Sequence, residues 1–235
     1  IGSIPKHEYQ YDAILNDSRN LIHKVTVNGM QLVIKRYKRP TIVNCFVYTY
    51  FRKNKARRAY EYALKLEELG FDTAEPIAYI EIKKNGFFHT GYFVSSFLPY
   101  TVLDEARIKF DEDQQKLIIK DLAAFTVELH KKGVGHYDYN NGNILFYKKD
   151  DESEYRFALI DINRMLFGRL SMKKCIRTIK TLNFSLPVYS YFIDLYTKQR
   201  GFNTELFFAR VLLKRSLMIN ARIKGFFKRL IGLKD

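Results

Sequence analysis

Residues suited to phosphoryl transfer lie in the stretch Gly135–Phe146, which reads GHYDYNNGNILF. His136, Asp138 and Asn143 follow the order H-x-D-x-x-x-x-N, a spacing typical of kinase catalytic loops. In this chemistry a carboxylate accepts the proton of the acceptor hydroxyl, while hard oxygen ligands hold Mg2+ against the phosphates of ATP. Asp138 suits the first task, and Asn143 with Asp161, which ends a later apolar run, suits the second. We expect His136 to orient the loop through hydrogen bonds.

A cation for the α- and β-phosphates of ATP is offered by Lys35, which ends the apolar run Leu32–Lys35. An unpaired ammonium in an apolar strand is costly, so an acidic partner is expected. Glu61, on the helix-favouring segment that follows, is the predicted partner. Glu68 lies two turns further along the same face and is the alternative. The simpler interpretation is that Lys35 lies on an edge strand, faces water and has no role in binding.

The elements of the N-terminal part follow from short-range patterns. Two alternating runs joined by Asn28-Gly29 predict a β-hairpin, because Asn-Gly favours the tight turns that join strands. A basic, helix-favouring segment comes next and is stopped by Gly70 and then Pro76. The predicted bounds are Leu21–Val27 and Gln31–Tyr37 for the hairpin, Arg52–Leu69 for the helix, and Ile77–Ile82 and Gly91–Phe97 for two further strands.

A Pro-containing connector, Leu98-Pro99-Tyr100, follows the last of these strands. It places the nucleotide-contacting hinge near Ser95 to Leu98, with Ser95 and Phe97 as candidate binding residues. The apolar period of Asp111–Lys131 predicts a long amphipathic helix.

The C-terminal part is predicted to be mostly helical. Short apolar runs at Asn143–Tyr147 and Tyr155–Ile160, separated by the polar loop Lys148–Glu154, predict a hairpin, and the chain is helical in character beyond Met165. We therefore expect an α+β, protein-kinase-like fold of two lobes. A small, mainly antiparallel N-lobe with one key helix (1–97) precedes a mostly helical C-lobe (98–235).

Positive charge is concentrated in two regions of a chain whose net charge is +15. Residues 164–235 contain 16 Lys and Arg against 3 Asp and Glu, and the block Lys35–Arg58 has no acidic residue while enclosing an aromatic stretch from Val43 to Phe51. Such surfaces attract phosphates, nucleic acid or anionic lipid, although a solvated charged face is the simpler interpretation. Cys45 and Cys175 support neither a disulfide framework nor a zinc cluster.

These motifs together resemble those of the protein-kinase-like superfamily and, within it, the Kdo/WaaP lipopolysaccharide kinases and their InaA-type relatives. The resemblance covers nearly the whole chain and rests on VIKRY around Lys35, RAYEYALKLEELGFDTAEP with Glu61, HYDYNNGNILF, and LIDINRM around Asp161. Asn140 stands where many protein kinases carry a lysine, as in Kdo kinases. The resemblance implies ATP-dependent phosphorylation of a sugar hydroxyl, Kdo or heptose, on a lipopolysaccharide core or lipid A precursor.

The sequence departs from the kinase pattern at two places. No G-x-G-x-x-G is present, and the loop before Leu21 is Asn16-Asp17-Ser18-Arg19-Asn20, whose backbone covers phosphates without the freedom of glycine. Asp161-Ile162-Asn163 replaces D-F-G, and no A-P-E segment follows, which argues against a regulated activation loop. Neither departure removes a residue with a direct chemical role, so an active phosphotransferase is favoured over a pseudokinase.

The alternatives are a soluble small-molecule kinase of the aminoglycoside or choline type, and a catalytically silent kinase fold that binds a membrane surface. Cationic acceptors call for acidic pockets, whereas the C-terminal region here is basic. No nucleic-acid partner is expected, since the aromatic residues are spread through apparent core positions. No apolar run has the length of a membrane span and no signal-peptide pattern is seen.

The lack of these patterns favours a cytoplasmic location. The resemblance implies peripheral contact at the inner face of the inner membrane of a Gram-negative bacterium, where a lipid-linked acceptor lies. The amphipathic segment Arg210–Lys234 is expected to act as an interfacial helix or to pack on the large lobe.

Overall fold

The computed structural model of the chain describes residue 4 and residues 9–18, 20–149 and 153–230. Arg19 of the predicted phosphate-covering loop, residues 150–152 of the predicted polar loop, and residues 231–235 of the predicted tail lie outside these residues. The chain divides into two units. The first is Ile1–Tyr100 with Ala158–Arg164, and the second is Thr101–Phe157 with Met165–Asp235. The segment 158–164, which the division at residue 98 assigns to the C-lobe, thus groups with the first unit.

The first unit is built on a five-stranded antiparallel sheet with the strand order β1-β2-β3-β6-β5. A short strand, β4, pairs in parallel with the end of β10 through Asp72 and Ala158, and through Thr73 and Leu159. The strands are β1 Ala13–Asp17, β2 Leu21–Val27, β3 Met30–Arg36, β4 Asp72–Thr73, β5 Pro76–Lys84, β6 Phe87–Ser96 and β10 Arg156–Leu159.

Two Asn-Gly turns join β2 to β3 and β5 to β6. Asn28 and Gly29 have φ values of 51° and 79°, and Asn85 and Gly86 have 51° and 81°. Positive φ at both central residues matches the right-handed twist of the flanking strands. The first turn is confirmed as predicted. The second was missed, although the dipeptide is the same, and it extends β5 and β6 beyond the predicted bounds.

Two helices complete the first unit: α1 Ile42–Tyr50, which was not predicted, and α2 Lys55–Glu68. The residues of α1 are mostly aromatic or β-branched and have low helix propensity, but the Thr41 side chain caps the helix by accepting from Asn44 N. α2 begins three residues later than predicted because Asn54 Oδ1 accepts from the backbone N–H groups of Ala56 and Arg57. It buries a stripe of small and apolar side chains, Ala56, Ala59, Ala63 and Leu66.

The second unit is mostly helical. The predicted long helix is observed, and Asp111 and Gln114 cap its start reciprocally. β7 pairs with β9, and β8 pairs with β11, both antiparallel; β7, β8 and β11 were not predicted. The elements are β7 Thr101–Val102, α3 Ala106–Lys109, α4 Glu112–Lys131, β8 Val134–His136, β9 Ile144–Tyr147, β11 Met165–Phe167, α5 Met172–Ile179, α6 Leu186–Arg200 and α7 Thr204–Leu230.

The last helix is amphipathic over part of its length only. Phe207 and Val211 of α7 are fully buried, whereas Leu217, Ile223 and Phe227 are exposed. The start of α7 therefore packs within the second unit through Phe207 and Val211. The two alternatives for the segment Arg210–Lys234 stay predictions. Among the described residues, no helix has both the length and the apolar character needed to cross a membrane.

Candidate active site

In the first unit, Lys35 and Asp161 form an ion pair. Lys35 lies on β3 between Ile22 and Phe93 of the neighbouring strands. Its Nζ atom donates to Asp161 Oδ1 at 2.5 Å, and the side chains are 11% and 31% exposed. The Nδ2 atom of Asn163 donates to the same oxygen, also at 2.5 Å. The carboxylate is thus held by an ammonium and an amide, which fixes its orientation.

The backbone at Asp161 has a left-handed conformation. Three non-glycine residues have positive φ among those described, and two of them are the Asn residues of the hairpin turns. The third is Asp161, with φ of 51°. Asp adopts this region more readily than most residues, and single residues held there cluster at functional sites. The turn is anchored just upstream, where Thr73 Oγ1 donates to the carbonyl of Leu159 at 2.7 Å.

Tyr37 forms an apolar wall beside this pair. Its ring is buried, and the Nζ atom of Lys35 lies 5.3 Å from the ring centroid. Burial raises the pKa of Tyr37 well above its usual value, and the negative charge of Asp161 acts in the same direction. The phenol therefore stays neutral, and its ring face contributes a cation–π contact to Lys35.

The predicted pairing of Lys35 with Glu61 is wrong in this structure. The carboxylate of Glu61 accepts from Lys53 Nζ at 2.7 Å and from Arg57 Nε at 3.0 Å. The physical reason is local: Arg57 is four residues earlier on α2, and Lys53 comes just before that helix. The alternative partner, Glu68, is exposed. Asp161 is 126 residues from Lys35 in the chain, and no sequence periodicity connects them.

The predicted hinge residues lie at the end of β6. Ser95 is buried and pairs with Val33 of β3. The backbone N–H of Phe97 donates to the carbonyl of Gln31 at 2.9 Å, and Lys24 Nζ lies 4.0 Å from the centroid of its ring. Their contact with a nucleotide stays a prediction.

In the second unit, the catalytic-loop residues are organised around the carbonyl of Asp138. This oxygen accepts from the backbone N–H of Asn140 at 2.8 Å, from Asn140 Nδ2 at 3.1 Å and from Asn143 Nδ2 at 2.9 Å. Because Asn143 uses its amide nitrogen internally, its Oδ1 atom is the one suited to a metal ion. The loop is thus folded on itself with Asp138 half-buried at its centre.

His136 is fully buried, and its Nδ1 atom accepts from the backbone N–H of Asp138 at 3.0 Å. An accepting Nδ1 places the proton of the neutral ring on Nε2. His136 therefore orients the backbone at Asp138, as the sequence predicts.

A clamp on the loop escaped prediction. Asn141 Nδ2 donates to the carbonyl of Asn183, and Asn183 N donates back to Asn141 Oδ1, at 3.0 and 2.9 Å. The Arg215 guanidinium on α7 donates to the carbonyl of Leu182, to Asn183 Oδ1 and to the carbonyl of Phe184. These partners are 31 to 42 residues apart, and the sequence carries no spacing signal for them.

A positively charged residue of the second unit, Arg177, lies next to the catalytic loop. The guanidinium of Arg177 on α5 lies 4.1 Å from the centroid of Tyr137, the neighbour of Asp138. A cation is thereby held next to the loop by a stacking contact. The sequence showed only that this region is basic.

An antiparallel sheet that carries a paired lysine, followed by a helical unit with the H-x-D-x-x-x-x-N loop, defines a protein-kinase-like α+β fold. The model of the lipopolysaccharide kinase (Kdo/WaaP) family matches residues 16–186, and the chain belongs to this family. It is therefore a phosphotransferase of the kinase type, as predicted.

Two solved structures share the fold. The structure of WaaP in complex with acyl carrier protein has a TM-score of 0.63 and 16% identity, and the match covers 92% of each chain. The crystal structure of WbdD has a TM-score of 0.53 and 15% identity, covering 88% of this chain and 51% of WbdD, so this chain spans about half of that protein. No curated protein matches the chain in sequence.

Proposed function

We propose that the chain transfers the γ-phosphate of ATP to a hydroxyl group of a sugar, Kdo or heptose, in the lipopolysaccharide core or a lipid A precursor. The observation that carries the proposal is the ordered loop around Asp138, in which His136 and Asn143 fix its backbone. Family membership supports the use of ATP and a lipopolysaccharide acceptor.

Each residue has a defined task in this proposal. Asp138 accepts the proton of the acceptor hydroxyl as the oxygen attacks phosphorus. Asn143 Oδ1 and the carboxylate of Asp161 are the hard oxygen donors that suit Mg2+, which neutralises phosphate charge when bound. Lys35 is the cation for the α- and β-phosphates, and Asp161 is its acidic partner. Ser95 and Phe97 line the base of the nucleotide.

The charge of the second unit favours an anionic acceptor. Arg177 lies beside Tyr137, and Lys173 and Lys174 on the same helix are exposed. Guanidinium and ammonium groups bind carboxylate and phosphate, whereas a cationic aminoglycoside or choline would be repelled. A lipid-linked acceptor places the enzyme at the inner face of the inner membrane, in peripheral contact with it.

The test is phosphate transfer by the purified full chain with ATP, Mg2+ and Kdo-bearing lipid A, for wild type and Asp138→Asn. Loss of the base should lower the transfer rate by about 10²–10⁴-fold while nucleotide affinity changes little. Asp113→Asn, an exposed change on α4, is the matched control and should keep the wild-type rate. Transfer to an aminoglycoside or choline instead would support the small-molecule alternative. Absence of both nucleotide binding and turnover would support a catalytically silent fold.

A further inference from the structure

The first unit exposes an aromatic surface that its fold does not require. We call it the α1 patch and define it as Ile42, Val43, Phe46, Tyr50, Phe51 and Phe87. Their exposed fractions are 86%, 73%, 49%, 62%, 75% and 42%. Soluble proteins rarely expose contiguous apolar patches of this kind unless something binds there.

The patch is one continuous surface. Ile42, Phe46 and Tyr50 are four residues apart and therefore share a face of α1. The ring of Phe46 lies 5.0 Å from that of Tyr50 and 5.8 Å from that of Phe51. Phe87, at the start of β6, continues it at 6.5 Å from Phe46 and 6.3 Å from Tyr50. The side chains are thus ordered against each other while their outer surfaces face solvent.

Positive charge surrounds the patch. Lys38, Arg39 and Arg52 flank α1 and are exposed, and Lys84 is the cross-strand neighbour of Phe87. Residues 36–58 contain no Asp or Glu. The pKa of His89, two residues after Phe87, is lowered by burial and also by Arg39, Lys84 and Arg36, which records the local excess of positive charge.

A basic recess adjoins the helix. A cavity of about 280 Å³ is lined by Lys38, Arg39 and Lys55, together with Asn44 and Tyr48 of α1, and no acidic residue is among its lining residues. Its cations and hydrogen-bonding groups suit a phosphate head group.

We propose that the α1 patch is a docking surface for an anionic lipid bilayer, with the aromatic side chains in the interface and the basic rim against lipid phosphates. Aromatic anchors combined with Lys and Arg are the chemistry of interfacial helices. A second copy of the chain is a poorer occupant, because self-association would bring the same positive rims together. The inference deepens the proposed function, since it identifies the surface that would carry the kinase to a lipid-linked acceptor.

The chain contains no Trp, so a single introduced Trp is an unambiguous reporter. We expect Phe51→Trp to shift its emission to the blue on vesicles of phosphatidylethanolamine with phosphatidylglycerol, and to be quenched by brominated acyl chains. Vesicles of phosphatidylcholine alone should give no shift, and salt should weaken the binding. Leu64→Trp, on the exposed face of α2, is the control reporter and should not respond. A shift for Phe227→Trp on α7 without one for Phe51→Trp would overturn the proposal.

Binding of the otherwise native chain gives the second measurement. Phe46→Ser with Phe51→Ser should weaken co-sedimentation with these vesicles at least about tenfold, because two partly exposed aromatic anchors are lost. The pair Phe226→Ser and Phe227→Ser on α7 is the matched control. Unchanged vesicle binding, or a dimer in solution that the α1 changes dissociate, would refute the proposal. The assay uses neither nucleotide nor acceptor, so failure of sugar phosphorylation leaves its result intact.

Discussion

The Nζ atom of Lys35 and the Oδ1 atom of Asp161 lie 2.5 Å apart, which joins β3 to the segment that follows β10. The lysine proposed for the phosphates and the carboxylate proposed for Mg2+ therefore neutralise each other within one unit. In the proposed reaction, bound Mg2+ and phosphates would give each partner a new counter-charge.

Lys35→Met and Asp161→Asn are each expected to lower the rate of phosphate transfer by about 10²–10³-fold, the usual effect of losing a preorganised charge. Because the residues act as a pair, the double variant should be little worse than either single one. Steady-state kinetics on the three variants measures this. Lys53→Met, which breaks an exposed contact with Glu61, is the control. Fully additive losses would contradict a shared role.

A Glu61 variant distinguishes between two possible partners of Lys35, Asp161 and Glu61. Since its carboxylate contacts Lys53 and Arg57, Glu61→Gln should reduce transfer by less than about tenfold, as surface ion pairs contribute little. The measurement is kcat and KM for ATP beside those of Asp161→Asn. A loss as large as that of Lys35→Met, and not additive with it, would show that Lys35 moves to Glu61 when nucleotide is bound.

What could be predicted from the sequence was set by the range of the interactions. The Asn28-Gly29 hairpin, the long helix α4 and the catalytic loop all depend on residues within a few positions of each other. α1 escaped because its β-branched and aromatic residues favour strands, while Thr41 and the packing of Tyr48 on Phe88 make it a helix.

The missed features of the site are long-range. The partner of Lys35 and the Asn141–Asn183 clamp depend on elements brought together only by folding. Glu61 was predicted as the partner of Lys35 because it is an acidic residue on the predicted helix that follows. Arg215 appeared in the sequence as one basic residue of an amphipathic tail. Only its position against residues 182–184 distinguishes it from the other cations of that tail.

His130 should make stability depend on pH. It is buried, its Nδ1 atom contacts the Tyr196 hydroxyl at 2.8 Å, and burial, with a smaller effect of Arg200, lowers its pKa to about 3. Below pH 6.5 the unfolded chain binds a proton at His130 that the folded chain does not. The contribution of neutral His130 to the free energy of unfolding is therefore complete above pH 6.5 and is lost as the pH falls toward 3.

The expected loss is about 1.4 kcal/mol per pH unit, or about 2 kcal/mol between pH 6.5 and 5. Urea unfolding across this range measures it, and His130→Gln should flatten the slope relative to wild type. Parallel curves for the two proteins would show that His130 takes up its proton in the folded state.

Arg215 should stabilise the loop clamp. Its guanidinium satisfies carbonyls of residues 182 and 184 and stacks 4.8 Å from the centroid of Tyr189. Arg215→Lys keeps the charge but loses the planar fork, and should lower the free energy of unfolding by about 1–3 kcal/mol. Arg210→Lys, an exposed change on the same helix, should have an effect below about 0.5 kcal/mol. Equal effects of the two substitutions in chemical denaturation would show that the hydrogen bonds of Arg215 do not stabilise the protein.

Gly133 lies between α4 and β8, just before the catalytic loop in the chain. Its φ is 78°, and an added Cβ would lie 2.8 Å from the carbonyl oxygen of Gly168, whose N–H donates to Gly133 O. Gly201, after α6, has a φ of 66° with open space around the Cβ position. Gly201→Ala should therefore cost about 1–2 kcal/mol for its backbone conformation alone. Gly133→Ala should cost about 1–3 kcal/mol more from overpacking, because the added methyl group meets the carbonyl of Gly168. Relief of this contact should displace the β8–β11 pair, in which His136 lies. Urea unfolding compares the two variants, and equal losses would mean that the contact with Gly168 relaxes without cost.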